Sequence, residues 1–247
     1  MDIFQIGIVL GVLAFFAHII KGLTGFGPAI VFVSIGSMIH SPKEIIVLAS
    51  LLDIIGGSYL IALNPQFLDN KKYWMPIGLL MVLGAITGGL ILSIVPATAF
   101  KYILGFAIIL ISFWFLLGKT GENKNTQNSD KIGIKDGLVG AFSGFSGGLT
   151  GMGGPPLAAY LGTKFEKNLF RAIIVPIFLV SAIARFSTYG TQGMINTTNL
   201  WLYIFPPIGV LLGNHIGNHF FEDVKQKKFT ILIGLILLLS GIRLIIT

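Results

Sequence analysis

The chain has 247 residues, of which 54% are hydrophobic and 11% are charged, and its formal net charge is +7. Soluble domains carry about 25% charged residues, and a soluble protein of this composition would expose a large apolar surface to water. The composition therefore excludes an ordinary soluble domain and predicts an all-α integral membrane protein. The basic residues are scattered over short loops, which favours a cytoplasmic positive excess over a nucleic-acid-binding surface. Cysteine is absent, so we expect neither disulfides nor a cysteine metal site.

The first apolar segment, Ile3–Ile39, is interrupted by the motif Gly22-Leu23-Thr24-Gly25-Phe26-Gly27, which is followed by Pro28. Glycine tolerates left-handed backbone, and proline suits the first turn of a new helix. The motif therefore predicts the end of one half-helix and the start of another inside the bilayer. Close helix packing through the glycines is the alternative interpretation.

Three apolar runs long enough for a membrane crossing follow in the first half: Ile45–Leu63, Tyr73–Val95 and Tyr102–Leu117. Asp53 lies midway along the first run, so we expect it near the bilayer centre. An intramembrane carboxylate is a functional candidate by default. Two roles are open for Asp53: carrying a coupling proton, or forming a structural ion pair with Arg185.

A polar segment, 119–133, separates two halves of the chain. Its composition is typical of a flexible surface linker, and we predict that it is cytoplasmic. The predicted organisation is a first transmembrane repeat over 1–118, the linker over 119–133 and a second transmembrane repeat over 134–247.

The second half repeats the first. The motif returns 126 positions later as Gly148-Leu149-Thr150-Gly151-Met152-Gly153, now followed by Pro155 and Pro156. Three further apolar runs come after it: Ala172–Tyr189, Leu200–Phe221 and Phe229–Ile246. Each half is therefore predicted to contain one broken helix or hairpin and three transmembrane helices.

The distribution of basic residues predicts how the two halves are oriented. If both broken segments return to the side they entered from, one side of the membrane receives 12 basic residues and the other 4. If both segments cross, the bias disappears. The positive-inside rule therefore favours returning segments, two inverted-topology repeats and both termini outside. A compact multi-pass chain of this kind suits a bacterial inner membrane.

The two glycine motifs predict a central binding site. A half-helix that begins within the bilayer offers free N–H groups and a partial positive charge, which suit an anion. We expect the two motifs to meet near the midplane, with the hydroxyls of the two threonines as additional donors. The predicted binding residues in the motifs are Gly22, Thr24, Gly25, Gly27, Gly148, Thr150, Gly151 and Gly153.

Other polar residues are candidates along the pathway. Asn214 and His215 lie on one predicted span, where they could line the cavity. Arg185 lies about 21 Å along a helix from Arg171, so we expect it in the outer part of the membrane, where it attracts an anion or extends to the interface. Lys21 precedes the first motif and could add a fixed positive charge, although the second half has no equivalent basic residue.

The segments Gly22–Pro28 and Gly147–Pro156, with the length, span count and duplicated layout of the chain, resemble the TauE/SafE sulfite exporter family, also called TSUP. The resemblance implies an integral membrane transporter for small anionic sulfur or organic compounds such as sulfite and sulfonates. The implied partners are a small anion and the lipid bilayer, and a homo-oligomer is left open.

The resulting hypothesis is a secondary transporter that works by alternating access, with its substrate site between the two broken helices and proton coupling as an option. No Walker A sequence, zinc-protease helix or serine nucleophile on a soluble strand–turn–helix is evident, so we expect no enzyme, no cofactor and no metal site. The alternatives are a passive anion channel and a membrane scaffold that transports nothing.

Overall fold

The helices were located in a computed structural model, which describes residues 2–117, 132–196 and 201–220 and the single positions 238, 242 and 246. Within these residues the structure contains helices and no strand. Nine α-helices have defined bounds in this part of the chain: α1 (Ile3–Thr24), α2 (Pro28–Gly36), α3 (Pro42–Leu63), α4 (Lys71–Ile94), α5 (Ala97–Leu117), α6 (Ile134–Thr150), α7 (Gly154–Lys164), α8 (Lys167–Thr191) and α9 (Trp201–His219). A short 3-10 helix, Pro65–Asn70, directly precedes α4. Nearly all of the predicted linker and the last predicted span, Phe229–Ile246, lie outside the described residues.

Helices suit the apolar sequence because a helix satisfies its own backbone hydrogen bonds in lipid. Four helical segments of the described chain are long and apolar enough to cross a membrane: Ile3–Thr24, Pro42–Leu63, Pro65–Ile94 and Lys167–Thr191. The shortest has 22 residues, which gives about 33 Å against a hydrocarbon core of about 30 Å. The predicted all-helical membrane architecture is confirmed at this level.

Both glycine motifs interrupt a helix. α1 ends at Thr24 and α6 ends at Thr150, and the next residue in each case is a glycine with positive φ, 85° at Gly25 and 77° at Gly151. The amide of each glycine donates to the carbonyl four residues earlier, at 2.7 Å and 2.8 Å respectively. Glycine adopts this left-handed conformation without a steric penalty. The two motifs therefore stop their helices in the same way.

The second broken segment begins and ends at the same end of the bundle. Lys164, at the end of α7, donates to Asp136, near the start of α6, with 2.6 Å between Nζ and Oδ1. Asp136 also accepts from the amide of Gly133 at 2.6 Å. α6 and α7 thus form a hairpin that is closed at its base by a buried carboxylate.

The most extensive helix contacts join the two halves of the chain: α1 packs on α9, and α4 packs on α6. A Cβ atom at Gly84 of α4 would overlap the carbonyl oxygen of Ala141, and one at Gly213 of α9 would overlap that of Phe15. Ala141 and Phe15 are 126 positions apart, the same offset as the two motifs. Corresponding positions therefore build both interfaces, with glycine allowing backbone-to-backbone contact.

We expect the substitution Gly84→Ala to separate α4 from α6, because its methyl group has no room beside the Ala141 carbonyl. Overpacking of this kind costs about 1–3 kcal/mol, which lowers the melting temperature by about 2–4 °C per kcal/mol in a chain of this size. Thermal unfolding in detergent measures the effect. Gly162→Ala is the control, since no described atom from another part of the chain lies within 4 Å of its Cβ position. Equal melting temperatures for the two variants would contradict this account of the interface.

Candidate functional site

A small cavity lies where the two breaks meet. Its wall includes Gly27 from the first motif and Gly151 and Gly153 from the second. The breaks are in contact beside it, since the Cβ position of Gly154 lies 3.4 Å from the ring of Phe26. Three of the predicted binding glycines therefore line one common space.

The cavity is too small in this state for a polyatomic anion. About 20 Å³ of it is open to the centre of a water molecule, and one bound water needs about 10–15 Å³ by this measure. Phe26, Phe178 and Met152 supply apolar parts of the wall. An oxyanion such as sulfite can enter only if the walls move apart.

Three buried charged side chains form one side of the cavity. Asp53 of α3 accepts from Lys21 of α1 at Oδ1 (2.8 Å) and from Arg185 of α8 at Oδ2 (2.9 Å). Lys21 also donates to the backbone carbonyl of Asp53 at 3.0 Å. None of the three residues is more than 7% exposed. Of the two roles expected for Asp53, this geometry fits the structural ion pair with Arg185, and Lys21 is a second cation in the pair.

This triad has an excess of positive charge. Lys21 and Arg185 carry two positive charges, and Asp53 carries one negative charge. Burying unbalanced charge in a medium of low dielectric constant is costly, so an anion in the adjoining cavity would be favoured. The Nε atom of Arg185 is buried and has no hydrogen-bond partner among the described residues, so one donor of this cavity-lining residue is unused in this structure.

Arg185 does not lie at an exposed mouth of the protein, as its spacing from Arg171 suggested. Its side chain is buried, and Nη1 donates to the carbonyl of Gly151 at 3.2 Å. The spacing argument treated Arg171 as a loop residue at the membrane surface. Arg171 is the fifth residue of α8 and is itself buried, and the depth of the two arginines in the membrane stays a prediction.

Arg171 is a site residue that the sequence did not reveal. Its Nη2 atom donates to the carbonyl of Gly22 at 2.7 Å and to Oδ1 of Asn218 at 2.6 Å. At the second break, the hydroxyl of Tyr189 donates to the carbonyl of Gly148 at 2.7 Å. Gly22 and Gly148 occupy the same position in the two motifs, so α8 holds both breaks at equivalent carbonyls. The sequence offered one signal for Arg171: it directly precedes the apolar run Ala172–Tyr189, so it could lie within the helix.

The threonine hydroxyls take part in the breaks themselves. Thr24 Oγ1 donates to the carbonyl of Ile20, and Thr150 Oγ1 to that of Ser146, both at 2.8 Å. Each hydroxyl oxygen also accepts from the amide two residues later at 3.2 Å. These hydroxyls shape the backbone of the breaks in this state, and their contact with an anion stays a prediction.

The other predicted binding residues lie away from the cavity wall. Gly22 packs on α9, with its Cβ position 2.7 Å from the carbonyl of Asn214, and Gly148 packs in the same way on α4. The Cβ position of Gly25 contacts α8. His215 Nδ1 lies 2.9 Å from the hydroxyl of Tyr59 at an exposed position. The side chain of Asn214 is fully buried and has no hydrogen-bond partner among the described residues.

We expect Asp53→Asn to destabilise the protein far more than Lys21→Met. Removing the carboxylate leaves two unbalanced buried cations, whereas removing Lys21 leaves the Asp53–Arg185 pair intact. Breaking a buried ion pair costs about 3–5 kcal/mol. Thermal unfolding in detergent compares the two variants, with Lys135→Met as the control at an exposed lysine. Similar losses for Asp53→Asn and Lys21→Met would contradict the charge balance described here.

Comparison with known proteins identifies the family. The family model described as Sulfite exporter TauE/SafE matches residues 10–244. No match was found among curated proteins or among solved structures. The matched region includes both glycine motifs and the Lys21–Asp53–Arg185 triad, and the described residues contain no group of three or more side chains placed to hold a metal ion. Since the match covers nearly the whole chain, this multi-pass membrane protein belongs to the TauE/SafE sulfite exporter family, which is a family of transporters.

Proposed function

We propose that this chain is a secondary transporter of small anions, such as sulfite or a sulfonate, and that the anion binds between the two glycine breaks. One observation carries the proposal: among the described residues, the cavity at the junction of the breaks adjoins two cations, Lys21 and Arg185, but only one carboxylate, Asp53. The excess positive charge and the unused Nε donor of Arg185 favour an anion over a cation.

The helix starts at the breaks add to this preference. α2 begins at Pro28 and α7 at Gly154, and both beginnings border the cavity. Free amides at a helix start attract anions. Pro155 and Pro156 have no N–H group, so the second break offers fewer donors than the first. Arg185 of α8 lies beside this second break and supplies the donors that the prolines lack.

We also propose that the two halves, 1–118 and 134–247, are inverted repeats joined by a cytoplasmic linker. Three contacts support opposite directions for the corresponding helices α3 and α8. Asn196, which follows α8, donates to Glu44 at the start of α3 (3.5 Å). Arg171, near the start of α8, lies over the ring of Phe67, which follows α3. Asn64, at the end of α3, and Arg171 both contact Asn218.

We also propose that transport proceeds by alternating access, and the small size of the cavity supports this. A transporter exposes its central site to one side of the membrane at a time, and a cavity of about 20 Å³ between the two breaks does not form a wide path for an anion. A passive channel would instead hold a continuous path open and would show no saturation at low anion concentration. Saturable flux is therefore the property that separates these two functions.

The anion proposal is tested by thermal stability of the purified protein against sulfite, sulfate, thiosulfate, taurine, sulfoacetate and acetate. A ligand at about 100 times its Kd stabilises the folded state by about 2.7 kcal/mol. We expect a selective shift in the wild type and a loss of at least about tenfold in affinity in Arg185→Gln, which keeps the neutral Lys21–Asp53 pair.

The same variant is assayed for flux in proteoliposomes, with Lys135→Met as the exposed-charge control. Saturable uptake that Arg185→Gln abolishes and Lys135→Met retains would support a transporter with its site at the triad. Uptake that rises linearly with anion concentration would favour a channel. Neither thermal shift nor uptake for any of the six compounds would favour a scaffold and overturn the anion proposal.

The orientation can be tested directly because the chain contains no cysteine. We expect a cysteine at Gln192, beyond the end of α8, to face outside, and one at Gln66, beyond the end of α3, to face the cytoplasm; both positions are exposed. A membrane-impermeant maleimide should label Gln192→Cys in intact cells and Gln66→Cys only after permeabilisation. The reverse pattern would place the termini inside, and equal labelling of both would rule out inverted repeats.

A further inference from the structure

Three buried polar atoms beside the charged triad have no hydrogen-bond partner among the described residues. They are Nε2 of His18 and both side-chain atoms of the Asn214 amide. His18 is 2% exposed and Asn214 is 0% exposed. Buried polar atoms are almost always hydrogen-bonded, so three unpartnered atoms in one place point to a group that binds there in another state.

The neutral ring of His18 has its lone pair on Nε2. Its Nδ1 atom lies 3.0 Å from the carbonyl of Ala14, and a carbonyl can only accept. Nδ1 therefore carries the proton of the neutral ring, and the lone pair is on Nε2. His18 lies on α1 one turn before Lys21, so a positive charge on the His18 ring would act directly on the triad.

Gly56 of α3 keeps the space between His18 and Asn214 open. A Cβ atom at Gly56 would lie 2.6 Å from Nδ2 of Asn214 and 3.0 Å from Cδ2 of His18, so these two atoms are within about 5.6 Å of each other. Gly56 also lies one turn after Asp53. The histidine, the amide and the triad thus form one continuous polar region across α1, α3, α8 and α9.

We propose that His18 binds the proton that is coupled to anion transport, and that the Asn214 carbonyl oxygen accepts from Nε2–H when the proton is bound. This inference rests on the proposed function and names its coupling ion. Asp53 is poorly suited to the task, because both of its carboxylate oxygens already accept from cations. A proton on Asp53 would break one of these pairs, whereas a proton on His18 uses a free lone pair.

The charges around His18 set the direction of coupling. Lys21 of α1, Asp53 of α3 and Arg185 of α8 are the charged groups that the described helices place around it; α2 carries no ionisable side chain, and α9 contributes the neutral amide of Asn214. A bound proton raises the net charge of this region from one to two positive charges, which strengthens anion binding. By reciprocity, a bound anion favours the proton, so the two move in the same direction.

The test measures the apparent Kd of the anion at pH 5.5 and pH 8.5 with the compound that stabilises the wild type most in the panel above. Coupling between sites typically changes affinity by about 5–150-fold. We expect binding at least about fivefold tighter at pH 5.5 in the wild type, and a ratio below about twofold in His18→Gln. His215→Gln is the matched control and should keep the wild-type ratio. The protonation of the anion itself is common to all variants, so it cancels in their comparison.

A second pair of variants covers the case in which His18→Gln fails to fold. Gly56→Ala fills the gap between the ring and the amide, whereas Gly57→Ala meets Leu179 on the other side, 3.3 Å away. We expect the pH response to be lost in Gly56→Ala and kept in Gly57→Ala. An unchanged response in His18→Gln or Gly56→Ala, or a wild type without pH dependence, would overturn the inference and leave the anion proposal standing. No binding of any compound by the wild type would overturn both.

Discussion

The sharing of Asp53 between Lys21 and Arg185 is the interaction on which the centre of this protein depends. A single carboxylate in a region of low dielectric constant is costly unless cations balance it, and here the two cations come from opposite halves of the chain. Lys21 lies in the last turn of α1, before the first break, and Arg185 donates to the carbonyl of Gly151 at the second break. The ion pairs therefore join the two breaks electrostatically as well as by contact. Any motion that separates the breaks has to rearrange these pairs. In the proposed transport cycle, an anion entering the opening space would compensate the cations that lose contact with Asp53.

α8 contacts both breaks directly, so a motion that separates them also changes its hydrogen bonds. Arg171 holds the carbonyl of Gly22 and Tyr189 holds that of Gly148, at positions about 27 Å apart along one helix. α8 therefore holds the ends of both half-helices by hydrogen bonds. If the site opens to one side at a time, we expect one of these two hydrogen bonds to break while the other persists. Packed elements switch between discrete arrangements in this way instead of deforming gradually.

The sequence predicted the parts of the structure that depend on local chemistry. The repeated Gly-Leu-Thr-Gly-X-Gly placed both helix ends because only glycine takes the left-handed conformation found at Gly25 and Gly151. The position of Asp53 midway along its span followed from counting residues. The partners of Asp53 and the carbonyl contacts of Arg171 could not be predicted in this way, because they depend on how helices of opposite halves pack. Basic residues near a span end are ambiguous in sequence, since the same residue can reach the interface or turn inward. His18 was passed over for the same reason: its unpartnered nitrogen becomes visible only beside Gly56 and Asn214.

Duplication and asymmetry have different roles in this chain. The glycine contacts between helices are repeated, since Gly22 and Gly148, and also Gly84 and Gly213, have equivalent surroundings. The helix starts after the breaks differ, because φ is 89° at Gly27 and −76° at Gly153. The charges are not repeated: Lys21 corresponds to Gly147 by the 126-residue offset, and the Cβ position of Gly147 lies 3.9 Å from the side chain of Arg185. A lysine at that position would bring a third cation to the triad and crowd the arginine. In the proposed transporter, the repeated glycine contacts would let the site open toward either side of the membrane, while the unrepeated charges would define one anion site.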